Sequence, residues 1–276
     1  MAEVSESQAA AKEEFKPFLA SCNKVGLDAP IRWVKMGWAD YRRSLAISSV
    51  YGFLIMMVSY AVFFVAWKLS SFTAAIAMLS AFIFIAPVLC LGLYSVARQL
   101  KRYQHADLKK SFRHGFRPYG DLALFIIVLI VIALIWARAA SLIHVFFPFG
   151  EEKDMSALLL FLGVGTFIGS LFSLLVFCVS AFSLPMIMDK KVDMITCCVS
   201  SFNAVLRNKR VMALWAALIV LFTGIGIVTL FLGFMIVIPV LGFATWHSYR
   251  ETLNADVWDD RINEFATVET VKQPNN

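Results

Sequence analysis

The chain has 276 residues, 60% of them hydrophobic and only 16% charged, with a formal net charge of +6. A soluble domain carries roughly 45–50% apolar and about 25% charged residues, so a water-soluble globular enzyme is excluded. The surplus of Lys and Arg lies in short segments between long apolar runs, which fits anionic lipid headgroups. No nucleic-acid-binding module interrupts the runs, so nucleic acid is not an expected partner.

Residues 1–29 open with MAEVSESQAAAKEEF, polar and acidic, without the apolar core of a secretory signal; they read as a cytoplasmic tail. A basic amphipathic stretch follows. Ile31, Val34, Trp38, Tyr41 and Leu45 share a helical face opposite Arg32, Lys35 and Arg42, with Asp28 as N-cap. Crossing a bilayer takes roughly 20 apolar helical residues, and the first two such runs are about 45–67 and 71–97. The second ends in PVLCLGLYSVAR. The segment 98–120 sets Leu108, Phe112 and Phe116 against Lys109, Lys110 and Arg113. Span three covers 121–147, and an acidic loop, PFGEEKDM, leads to span four at 157–188, which closes in SLPMIMDKK.

A third amphipathic stretch starts at Asp193, another expected N-cap. Met194, Ile195, Val199, Phe202 and Leu206 face one way; Thr196, Ser200, Asn203 and Arg207 face the other. The apolar run 211–249 is long enough for two spans, 211–229 and 231–249, with Gly224, Gly226 and Gly233 as places for the turn. It ends in PVLGFATWHSYR. Residues 251–276 read as a flexible cytoplasmic tail. The expected fold is all-α: a polytopic six-helix membrane bundle over 30–250, with basic amphipathic interfacial helices.

Orientation follows from charge. The N-terminal segment, 98–120, 189–210 and the C-terminal segment hold 7, 7, 5 and 3 of the 25 Lys and Arg; the opposite side keeps Lys68, Arg138 and Lys153. Positive charge in short loops stays inside, so both termini are expected in the cytoplasm. Five cysteines with no metal or redox spacing give no disulfide framework and no zinc site.

The phrases at 87–98 and 239–250 pair Pro87 with Pro239, Tyr94 with Trp246 and Arg98 with Arg250; Pro185 gives a weaker third echo. With the three amphipathic stretches, they suggest a parallel threefold repeat of interfacial helix, outward span and inward span. An aromatic followed by arginine is what an interfacial anchor looks like. Each proline removes a helical hydrogen bond and invites a kink, so kinks at Pro87, Pro185 and Pro239 would splay the bundle at its cytoplasmic end.

His247 is either a haem ligand or proton relay, or an interfacial histidine bonded to a carbonyl or lipid phosphate; a lone histidine favours the second. Arg138 is the one charge well inside an apolar run, a functional candidate or a side chain snorkelling to the outer boundary, with Glu151, Glu152 and Asp154 as partners. Gly165 and Gly169 permit close helix approach, within the chain or between two copies. No carboxylate lies inside a span, and no nucleotide, protease or hydrolase motif is present, so neither an enzyme nor a cofactor is expected.

Five elements in order, IRWVKMGWADYRRS with a following YG, APVLCLGLYSVARQ, WARAASL, SLPMIMDKKVD and PVLGFATWHSYR, resemble a bacterial family of integral membrane proteins catalogued as domain of unknown function 2189. The resemblance covers about residues 30–252. It implies six spans, an inner-membrane location and no established activity. Some members are labelled cytochrome c oxidase subunits, but a catalytic subunit needs several intramembrane histidines, and only His247 and His144 are candidates. The chain reads as a non-enzymatic scaffold, accessory subunit or lipid-interacting factor. Its expected partners are anionic headgroups at the cytoplasmic face, another membrane protein or a second copy. A small transporter with a cytoplasm-facing cavity and a haem-binding or oxidase-associated protein are the alternatives.

Overall fold

The computed structural model describes residues 17–68, 90–115, 118–146 and 155–261. Ten helices occur among them: α1 Ala29–Arg43, α2 Leu45–Lys68, α3 Leu91–Tyr103, α4 Leu108–Gly115, α5 Tyr119–Phe146, α6 Met155–Ser180, α7 Ser183–Asp189, α8 Met194–Arg207, α9 Lys209–Val228 and α10 Phe234–Thr252. A two-residue antiparallel pair joins β1, Ser21–Cys22, to β2, Leu253–Asn254, so the segments flanking the bundle meet on one side.

Among the described residues, four stretches are long and apolar enough to cross a membrane: Leu45–Lys68, Tyr119–Leu142, Leu159–Asp189 and Lys209–Val228. They match expected spans one, three, four and five. Span two lies outside the described residues up to 89, and Pro87 with it; α3 is its described end. The loop PFGEEKDM is also outside them, apart from Met155. The sixth expected span is α10, which is helical but apolar only over its first half, because Trp246, His247, Ser248, Tyr249, Arg250 and Glu251 fill its end.

Three expectations need correction. The turn before α10 is Thr229–Gly233, with Leu230 and Phe231 at positive φ; Gly224 and Gly226 stay inside α9. Span four stops at Ser180 and restarts as α7, so Pro185 lies in the first turn of a new helix, where its missing N–H costs nothing. Pro239 instead lies inside the continuous helix α10. The C-terminal segment is no loose tail as far as Arg261: Lys191 N–H donates to Asp259 O (2.9 Å) and Arg261 N–H to Asp189 O (3.0 Å).

The amphipathic helices pack in rotation. α1 lies on α10, α4 on α3, and α8 on α6 and α7. The apolar face read for α1, Ile31, Val34, Trp38, Tyr41 and Leu45, is the one an interfacial helix turns toward acyl chains. Ile31 and Trp38 of α1 are exposed, as is Leu45 at the start of α2, and α1 buries Trp33, Gly37, Asp40 and Tyr41 against α10. That partner runs antiparallel: Trp33 meets Glu251 (2.7 Å) and Gly37 meets Ala244, and further on Gly52 of α2 meets Met235. A Cβ on Gly37 would stand 2.6 Å from Val240 O, and one on Gly52 2.2 Å from Met235 O, so only glycine permits these approaches. Asp28 does not cap α1; its carboxylate pairs with Arg32. Asp193 does cap α8, accepting from Thr196 N–H at 2.8 Å. α8 buries Thr196, Cys197, Ser200, Ser201 and Ala204 and exposes Ile195, Val199, Phe202 and Leu206. Cys197 is therefore a core residue, although it and Cys198 are both free thiols.

Candidate functional site

The basic end of the bundle holds the largest buried side chains, among them Trp33, Trp215, Trp246 and Tyr249. There the helices α3, α7 and α10 end against one another. Between them lies a pocket of ≈ 340 Å³, lined by Arg98, Lys101 and Arg102 of α3, Asp189 and Lys190 at the end of α7, Trp246 and Arg250 of α10, and Asp256 and Asp260 beyond it.

The three helix ends are interlocked. Arg98 donates from Nη1 to the carbonyl of Met188, a cation placed on a helix C-terminus, where the backbone dipole favours it. Asp189 accepts from Tyr249 Oη and Arg250 Nη1, both at 3.0 Å. The segment 253–261 then straps across the opening. Lys190, its side chain only 6% exposed, donates to Asp260 at 2.8 Å and lies 3.5 Å from Asp256. Arg250 Nη2 is 3.7 Å from Asp256, and Arg102 4.0 Å from Asp260. Arg261 anchors the strap, donating to Lys190 O (3.0 Å) and Asp121 (2.8 Å).

These contacts shift the ionisations. The hydrogen bond from Lys190 holds the Asp260 carboxyl below the usual carboxylate range, against its partial desolvation. Burial lowers the pKa of Arg98 although Asp189 and Asp260 oppose it. Burial also lowers that of Lys101, with the Arg250 charge acting in the same direction.

Of the residues singled out in the sequence, Arg98, Arg250 and Trp246 meet at this pocket. Tyr94 and Trp246 are 3% and 2% exposed, so they are core aromatics and not interfacial anchors; the surrounding helices wrap the inward ends before those side chains can reach an interface. Asp189, Lys190, Asp256 and Asp260 carried no local signal beyond the element SLPMIMDKKVD.

His247 pairs with a carboxylate of another helix. Its Nε2 lies 2.7 Å from Asp40 Oδ2, joining α10 to α1, and Asp40 is buried. His105 bonds the Tyr103 carbonyl in an exposed turn. Among the described residues no cluster of His, Cys, Asp and Glu has the form of a metal site. Arg138 is exposed near the far end of α5, and the acids expected beside it lie outside the described residues. Among the described residues, a Cβ on Gly165 would meet nothing within 4 Å, and one on Gly169 only the Trp136 indole at 3.8 Å.

Residues 74–189 match the family described as "Predicted integral membrane protein (DUF2189)". The protein is thus an integral membrane protein with several apolar helices, and the match includes the SLPMIMD element that supplies Asp189. The family's description assigns no activity. No curated protein and no solved structure matches the chain.

Proposed function

We propose that this protein is a non-enzymatic, lipid-interacting factor of the bacterial inner membrane, crossing it six times with both termini in the cytoplasm and its basic end in the headgroup layer. The observation that carries this reading is the division of α8. Its small and polar face is buried against the bundle, while Ile195, Val199, Phe202 and Leu206 form an exposed apolar stripe. Arg207, Lys209 and Arg210 adjoin it, exposed. A helix with such a stripe and neighbouring cations lies at the boundary between acyl chains and phosphates. The exposed Ile31 and Trp38 of α1 and Leu45 at the start of α2 extend this surface. The rotation of α1, α4 and α8 over the inward helices supports a threefold repeat, with six spans arranged around one basic end. The transporter alternative needs a hydrated cavity behind the prolines, but Pro185 and Pro239 are buried in packed helices and the pocket is charged.

A nitroxide placed in turn at Ile195, Phe202 and Asn203 in phosphatidylglycerol vesicles tests the reading. Oxygen, enriched in the acyl region, should relax the first two more than a water-soluble nickel chelate does, with the order reversed at Asn203. Water-like accessibility at all three positions would refute it. Reporter fusions at residue 276 and within 148–155 should report opposite sides of the membrane.

A further inference from the structure

We propose that the pocket between the ends of α3, α7 and α10 binds a phosphate-bearing anion, and that Asp256 and Asp260 of the terminal strap occupy it as internal stand-ins. As far as a lipid ligand is concerned, this rests on the reading that the basic end lies in the headgroup layer; for a soluble anion it does not.

Charge is the first argument. Five cations, Arg98, Lys101, Arg102, Lys190 and Arg250, surround the space with three carboxylates. Asp189 is turned inward and already accepts from Tyr249 and Arg250. The other two carboxylates come from the strap at the rim, with side chains 71% and 44% exposed. Without the strap, five cations would face one committed carboxylate. Lys101 has no ion pair among the described residues, and its lowered pKa registers the loss of water and the crowding by Arg250.

Hydrogen-bonding capacity is the second argument. The Nε–H groups of Arg98 and Arg250 are buried without a partner among the described residues. A buried unmade hydrogen bond to a charged group is costly, so a native structure that keeps two at one pocket calls for an acceptor. Arg98 uses Nη1 on the Met188 carbonyl, which leaves the Nε–Nη2 edge for a bidentate acceptor. Phosphate oxygens match that fork in geometry and charge. The volume suits a phosphate monoester or a diester headgroup. The strap is held at the β1–β2 pair and by the backbone bonds at Asp259 and Arg261, so Asp256 can leave the cations while its ends stay docked, and Asp260 can release them by turning its side chain alone.

The experiment uses the full chain purified in a zwitterionic detergent, read by thermal unfolding and by Trp fluorescence, since Trp246 lines the pocket. Inorganic phosphate, phosphatidylglycerol and phosphatidylcholine are titrated in turn. An anion effect absent with phosphatidylcholine is expected. Response to phosphate alone assigns a soluble anion, and response to phosphatidylglycerol alone a headgroup. D256N/D260N should bind about tenfold more tightly, because two competing charges are gone. K101Q should weaken binding by a similar factor; its half-free side chain makes this variant safe for folding. R98Q should abolish binding if it folds. No response to either anion in wild type and in D256N/D260N would overturn the proposal. So would equal affinity in K101Q and wild type. A watery α8 label beside intact anion binding would sink the headgroup placement and leave the site.

Discussion

The helices α6 and α10 make an instructive pair. α6 exposes Leu159, Leu160, Phe167, Leu171 and Leu174, and only 6% of the most apolar window in Leu159–Asp189 is buried. α10 buries nearly every residue from Pro239 to Thr252. Acyl chains, if they cover the first, solvate leucine as well as protein does, so it would need few exact neighbours. The second carries Trp246, His247, Ser248, Tyr249 and Arg250 into a crowded end where each polar group needs a partner. The specificity of this fold therefore sits at its basic end.

The largest effect expected from this contrast lies along α10. G52A and G37A push a Cβ into the backbone of α10 at Met235 and Val240, which a rotamer change does not relieve. Each should cost about 3 kcal/mol, the upper part of the range for overpacking, seen as a clear fall in midpoint on thermal unfolding in detergent. Midpoints equal to wild type would mean that α1 and α2 do not lie against α10.

Next comes the bond between α1 and α10. H247A takes from the buried Asp40 carboxylate its 2.7 Å partner and leaves it Arg43 at 4.0 Å, and D40A leaves the partly buried imidazole without that partner. Each should destabilise by about 1–3 kcal/mol, and the double variant should lose less than the sum, because the partner left behind is also gone. Additive losses would show that the two side chains do not interact. A Soret band removed by H247A would give the histidine to haem.

A smaller effect is expected from pH. Lys190 donates to Asp260, and Arg102, Arg98 and Arg250 add positive charge around it. The folded pKa lies below the unfolded one. The stabilisation is therefore complete above the unfolded carboxylate pKa, roughly 4, and is lost as pH falls through the folded value. Proteolysis within 253–261 should accelerate only in acid. In D260N the acid dependence should shrink, with the strap looser at neutral pH.

How much of this was legible in sequence divides along the same line. The spans were legible because a bilayer demands long apolar runs, and α2, α5 and α9 begin and end within a few residues of the runs, while α6 stops short at Ser180. Arg98, Trp246 and Arg250 were legible as parts of a repeated phrase. The outward apolar faces of α1 and α8, with Ile31, Trp38, Ile195 and Phe202, were legible as the side an interfacial helix turns to lipid. Their buried faces were not, because Trp33, Gly37, Cys197 and Ser201 pack on partners that no local spacing names. Asp40 and Asp189 were invisible for the same reason: their partners lie 207 and 61 residues away, and no local pattern encodes such a pairing.

The smallest effect is expected where the sequence pattern looked most like a packing motif. G165A adds a methyl group that meets nothing within 4 Å among the described residues. Alanine also has a helix propensity about 1 kcal/mol better than glycine, so a lone α6 should gain slightly in thermal midpoint. That outcome is the one expected if acyl chains cover this face. If a second copy covered it, the methyl would stand in the closest helix approach and the midpoint would fall with a loss of dimer on size-exclusion chromatography. The G165A and G169A pair therefore decides whether α6 is covered by lipid or by another copy. G52A provides the internal standard for a glycine known to be pressed against backbone.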